Sequence, residues 1–233
     1  MNKPGILKIS GRDAKKFLQG QLTCNMEEIS PTQSKLGAHC NPQGRILSLF
    51  RIFERDQSYY LVLPQEMLPL ATQCLKKYAA FYSATLTEHD NEQFPIEKVE
   101  LEWKFFDVSQ GIAKIYPETS GKFLPHDLNL HLNEGISWNK GCYTGQEIIA
   151  RMHYRGKLKN HLYRARVQST STPLVGSSVY SENSESGIIA DWISDDSQNF
   201  QLLIVTDEQN SKKSALTLNP TQPDLWEWLS LHG

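Results

Sequence analysis

The run Lys140-Gly141-Cys142-Tyr143-Thr144-Gly145-Gln146-Glu147 gathers residue types that can do chemistry. Cys142 is a thiol between two glycines, at 141 and 145, which let a backbone turn tightly or approach a ligand closely. Thr144 and Glu147 have the Thr-x-x-Glu spacing of a capping box, with the hydroxyl on the N3 amide and the carboxylate reaching back. Ile148, Ile149 and Met152 follow as an apolar helix face, and Gly156 marks its end. The spacing therefore places Cys142 just ahead of a helix start. There the helix dipole, with Lys140, Arg151 and Arg155 nearby in sequence, favours thiolate over thiol.

A plainer reading stands beside this one. Most single cysteines are small buried apolar residues, and a capping box by itself marks only a helix start. On residue chemistry alone the inert reading leads.

The elements that must position this run are legible as patterns. Ile6 to Ile9 reads as a strand, and Ser10 as the cap of a helix with Ala14, Phe17 and Leu18 on one face. Ala38 to Cys40 and Arg45 to Phe53 read as a hairpin about the turn Asn41-Pro42-Gln43-Gly44. Tyr59 to Leu63 is a further strand, Glu66 to Tyr78 a helix, and Ala84 to Thr87 one more strand. In that helix Cys74 falls in an apolar pattern with Leu70 and Tyr78 and is expected to be buried. Residues 88–97 read as a polar loop or linker. After Gly156 five short strands are expected, at 162–167, 177–180, 187–193, 200–206 and 215–218, as in a small barrel or sandwich. Leu225 to Leu229 reads as a final helical turn. The whole is an α+β chain.

Composition narrows the function classes. A net charge of −2 gives no global field for nucleic acid or membrane. No apolar run reaches transmembrane length, and the first residues lack a signal-peptide core. Four cysteines, at 24, 40, 74 and 142, form no Cys-x-x-Cys pair and no zinc spacing. The expectation is a reduced, cytoplasmic protein without a metal site. The basic stretch Arg151, Arg155, Lys157, Lys159, Arg164, Arg166 has little aromatic interleaving, so direct nucleic-acid binding is not expected. Its plainer reading is a solvated edge; the same charges also suit the carboxylates of a ligand.

The full octapeptide, followed by Ile148-Ile149-Ala150-Arg151, resembles the signature of the YgfZ family, folate-binding proteins related to the glycine-cleavage T-protein (aminomethyltransferase). The resemblance continues in Gly11-Arg12-Asp13-Ala14 and Phe17 to Thr23, in His39 to Arg45, in Ser120 to Pro125, in Gly135-Ile136-Ser137, and in Tyr154-Arg155-Gly156-Lys157. It implies a T-protein-like folate-binding α+β domain over residues 1–159, its middle shortened around 83–102. A small C-terminal β-barrel over 160–233 follows. It implies tetrahydrofolate or another folate as cofactor, and iron–sulfur client proteins, tRNA-modifying ones included, as partners. Trp103 stands where the family has a tryptophan associated with folate, and an indole can stack on a flat pterin. Cys142 is then the functional thiol. Trp103, Lys140, Gly141, Tyr143, Gly145, Gln146 and Arg151 are the candidate folate contacts. Ser109-Gln110 replaces the family's Glu-Ala. Two other readings stay open: a tetrahydrofolate-dependent aminomethyl transferase, weakened by Pro64-Gln65 where an Asn-Ala segment is usual, and a non-catalytic docking module.

Overall fold

The computed structural model describes residues 4–89, 104, 107–156, 158–182, 184–194, 198–213, 216–218 and 224–229. Trp103 lies outside the described residues, as do Lys157 and most of the expected linker. The chain divides into two compact units. The first takes its residues from Met1–Glu100, Ile115–Pro125 and Leu130–Gly156; the second takes them from Leu101–Lys114, His126–Asn129 and Lys157–Gly233.

In the first unit an antiparallel sheet of five strands has the order β2-β3-β4-β1-β5. The strands are β1 (Pro4–Ser10), β2 (Lys35–Cys40), β3 (Ile46–Arg55), β4 (Ser58–Pro64) and β5 (Thr85–Glu88). Helix α1 (Ala14–Gln21) buries Ala14, Phe17 and Leu18, and α2 (Leu68–Ala79) buries Leu68, Ala71 and Leu75. These are the i, i+3, i+4 faces expected of amphipathic helices. Ser10 does not cap α1: it is the last residue of β1, and Asp13 precedes the helix. Asp13 turns outward from its own helix and accepts the amide of Ser83 at 2.9 Å, while its N–H donates to the Ser83 carbonyl. Cys74 is half-buried, not buried; the buried thiols are Cys24 and Cys40.

The second unit is a curled antiparallel sheet in the order β10-β6-β9-β8-β7. Its strands are β6 (Asn160–Gln168), β7 (Ser178–Ser181), β8 (Ser184–Ser194), β9 (Asn199–Asp207) and β10 (Leu225–Leu229). Thr217 adds an isolated bridge to Tyr180. One face closes over Ala165, Val167, Val179, Ile189, Phe200, Leu202, Ile204 and Leu216, with Trp226 and Trp228 packed against it. The segment Leu225–Leu229 is thus a strand, not a helical turn: its two tryptophans are spaced two apart and pair with Val167 and Ala165. Asp191, fully buried, accepts the backbone amides of Lys114 and Trp192 and faces Lys104 at 3.7 Å.

Candidate functional site: the cysteine loop

The loop is built on the end of α1. Past α1, Leu22 bridges to His39 of β2, and Thr23 donates its amide to the Ala38 carbonyl. The Thr23 hydroxyl, fully buried, donates to the Gly135 carbonyl at 2.5 Å and accepts the Ala38 amide at 2.9 Å. Ser137 donates its amide to the Thr23 carbonyl. The polypeptide that leads into the loop is therefore stitched to segment 22–24 before the octapeptide begins.

Lys140 completes that attachment. Its ammonium donates to the carbonyls of Leu22 at 2.7 Å and Cys24 at 2.6 Å, and lies 5.1 Å from the centre of the Tyr143 ring. Burial lowers its pKa to about 8, so at neutral pH it holds the loop as a cation. The buried Cys24 thiol is raised to about 11, by burial first and against the opposing charge of Lys140. The Lys140 charge is thus bound to backbone carbonyls of the underlying segment, where the sequence had suggested a field for Cys142.

Helix α3 (Gln146–Arg155) begins later than the Thr-x-x-Glu spacing implies. Its N-cap is Gly145 in the left-handed conformation, φ 84°, and no side chain caps it. The Thr144 hydroxyl instead meets Gln21 Oε1 at 3.4 Å, and the Thr144 amide donates to the Gly20 carbonyl. The expected capping box is not formed. The reason is contact with the β2–β3 turn. A Cβ on Gly145 would sit 2.6 Å from the Asn41 carbonyl oxygen and 3.3 Å from Cys40 Cβ. A Cβ on Gly44, φ 75°, would sit 3.2 Å from Ile148 Cβ. Two glycines with positive φ therefore let the hairpin turn and the helix start interlock.

The octapeptide so has two sides. On the inner side Tyr143 is 7% exposed, and its hydroxyl has no hydrogen-bond partner among the described residues. Burial, with Cys40 close by, pushes its pKa upward. On the outer side Gly141 and Cys142 are exposed, and a Cβ on Gly141 would meet nothing within 4 Å. Of the four cysteines only Cys142 is exposed. Gln146 is half-buried at the helix start, and Arg151 lies exposed further along α3. The structure thus brings Lys140, Gly141, Cys142, Tyr143, Gly145 and Gln146 into one loop, with Lys140, Tyr143 and Gly145 facing inward. The sequence did not show the parts played by Thr23 and Gly44. The glycine of the Asn-Pro-Gln-Gly turn was visible, but its contact with a helix a hundred residues on was not.

No family model matches the chain. It is 29% identical over 212 residues to an uncharacterized protein of Haemophilus influenzae, covering 75% of each chain. It is 28% identical over 220 residues to the tRNA-modifying protein YgfZ of Colwellia psychrerythraea, covering 68% of each. It is 27% identical over 231 residues to the protein of that name from Photobacterium profundum, covering 74% of this chain and 70% of that one. Among solved structures, aminomethyltransferase T of the glycine cleavage system from Bartonella henselae superposes with a TM-score of 0.72. The match covers 98% of this chain and 83% of that one at 10% identity. The chain is therefore similar over most of its length to proteins named tRNA-modifying protein YgfZ, and it carries the fold of aminomethyltransferase T.

Proposed function

We propose that this chain is a folate-binding accessory protein in the maintenance or assembly of iron–sulfur enzymes, tRNA-modifying ones included, with Cys142 as its functional thiol. The observation that carries the reading is the presentation of Cys142: exposed on a loop whose inner side is fixed to the sheet, while Cys24 and Cys40 are buried. Relatives named tRNA-modifying protein YgfZ and the T-protein fold support it. The residues present fit a folate at the start of α3. The side-chain amide of Gln146 has no hydrogen-bond partner among the described residues and offers a donor and an acceptor to the amide edge of a pterin. Trp103 is the proposed stacking partner. When bound, a reduced folate supplies a site that carries or accepts a one-carbon unit. Lys140, Tyr143 and Gly145 act here by positioning the loop. Arg151, exposed on α3, is the proposed partner for a folate carboxylate. Client proteins of the iron–sulfur class are the proposed partners.

Two measurements test this. Calorimetric titration with tetrahydrofolate and 5-formyl-tetrahydrofolate is expected to show binding that weakens in Trp103→Ala and in Gln146→Ala. Absence of binding to either folate overturns the folate reading. Iodoacetamide is expected to alkylate Cys142 faster than Cys24, Cys40 or Cys74, read by mass spectrometry. If Cys142 is not the fastest, the functional-thiol reading loses its physical basis.

A further inference from the structure

The outer edges of the two sheets are not treated alike. An edge strand presents a row of unpaired N–H and C=O groups, which proteins shorten, cover or charge. At β2, Leu22 bridges to His39. At β7, Tyr180 and Thr217 each donate an amide to the other's carbonyl. The edge strand β5 is short, Thr85–Glu88. By contrast β10, Leu225–Leu229, pairs with β6 on one side and, among the described residues, has no strand or bridge on the other. It contains no Pro and no Lys. Trp226 and Trp228 pack against the apolar cluster, so Leu225, Glu227 and Leu229 lie on the opposite face. Leu225 is 71% exposed, and the side chain of Glu227 66%. The Trp226 indole N–H adds an open donor: it is buried and has no hydrogen-bond partner among the described residues.

We infer that β10 accepts an added strand from a partner protein, one with a basic residue at its centre and an apolar residue two positions to either side. This goes beyond the folate reading and does not rest on it. The backbone of the added strand satisfies the outer amides and carbonyls of β10. Side chains on one of its faces fall opposite Leu225, Glu227 and Leu229, and cross-strand pairing then sets their chemistry as apolar, basic, apolar. Arg166, across from Glu227 on β6, comes no nearer than 4.0 Å, so the carboxylate keeps acceptor capacity for a second cation. Residues on the other face lie opposite Trp226 and Trp228, where a Ser or Thr hydroxyl offers the indole an acceptor. A second copy of this chain fits less well. Two β10 strands paired antiparallel about their centres set Glu227 against Glu227, and like charges directly opposite destabilise.

The test uses the full chain, isotope-labelled for NMR, and the end-capped peptide Val-Thr-Lys-Thr-Val, which reads the same in parallel and antiparallel addition. On titration the amides of Leu225–Leu229 are expected to shift and to exchange more slowly with solvent. With Glu in place of the peptide's Lys, binding at low salt is expected to weaken about tenfold, one favourable cross-strand pair being exchanged for an unfavourable one. Glu227→Lys, on an exposed side chain, is expected to reverse that preference without moving the melting temperature. Methylating the peptide's backbone nitrogens is expected to abolish binding. Absence of shifts in β10, equal binding of the Lys and Glu peptides, a Lys preference that survives Glu227→Lys, or undiminished binding of the methylated peptide overturns the inference. So does dimerisation of the chain that shifts the same amides, which assigns the edge to a second copy.

Discussion

The two sheets bury different things. In the second unit the buried face is sorted by side-chain type: eight apolar residues form a closed cluster, and its fully buried acid, Asp191, is matched by two backbone amides. In the first unit every residue of β2 is buried, and one of them is His39, with neither ring nitrogen partnered among the described residues. Directly across on β3, the Ser48 hydroxyl is also buried and has no partner among the described residues. Tyr143, from the cysteine loop, adds a third such group. An unmatched buried polar atom costs about 1–3 kcal/mol. The second sheet carries such a group too, the Trp226 indole nitrogen, so the two differ in degree: its buried acid is matched, while the first unit gathers three unmatched groups about β2 and the cysteine loop.

Four experiments break or sharpen this contrast. The largest effect is expected from Gly145→Ala, which forces a side chain into a left-handed backbone and against the Asn41 carbonyl. A loss of about 3–5 kcal/mol is expected from strain and overpacking together, read by urea unfolding. An unchanged midpoint would mean that helix start and hairpin turn are not locked.

Leu202→Ala removes a fully buried side chain from the second sheet and is expected to cost about 3 kcal/mol. In the molecules still folded, alkylation of Cys142 should proceed at the wild-type rate. A changed rate would show that the scaffold sheet does more than support.

The pH response of His39 comes next. Burial lowers its pKa to about 4 from the ordinary 6.5. Between those values the unfolded chain takes up a proton that the folded chain refuses. Stability is therefore full above pH 6.5, falls as the pH drops, and has lost this contribution below about 4. The expected loss is about 3 kcal/mol over the window. His39→Leu should flatten the slope in that window, and a slope that persists in the variant assigns it to other groups.

The smallest effect is expected from Thr144→Ala. A true N-cap would cost about 1 kcal/mol, but this hydroxyl makes only a 3.4 Å contact with Gln21. A shift under about 0.5 kcal/mol is expected in a thermal melt, since one long, half-exposed contact is worth less than a typical hydrogen bond. A full unit of loss would restore the capping reading.

Much of the fold was legible because its patterns are local. The alternation in β6 to β9, the Asn-Pro-Gln-Gly hairpin and the apolar faces of α1 and α2 each sit within a dozen residues. What failed was decided by distant partners. The Thr144 and Glu147 spacing is right for a box, but the Asn41 carbonyl, a hundred residues away, decides how Gly145 must turn. Lys140 reads as a charge near a thiol until the carbonyls of Leu22 and Cys24 are seen to hold it. The tryptophan pair in β10 has a strand's period of two, in a segment too short for the period to stand out. Within the site, the position of Cys142 just ahead of a helix and that helix's end at Gly156 were readable, whereas the hold of Lys140 on the Leu22 and Cys24 carbonyls needed the fold.

The interlock of Gly44 and Gly145 also governs motion. The amide of Thr144 is held by Gly20, that of Ser137 by Thr23, and that of Thr23 by Ala38 in β2. Opening the loop therefore draws on the same bonds that hold α1's end to the sheet edge. In hydrogen exchange these amides should behave as one cooperative block, protected to a common level, instead of fraying like an ordinary surface turn. The thiol would then be offered on a segment as stiff as the sheet that carries it.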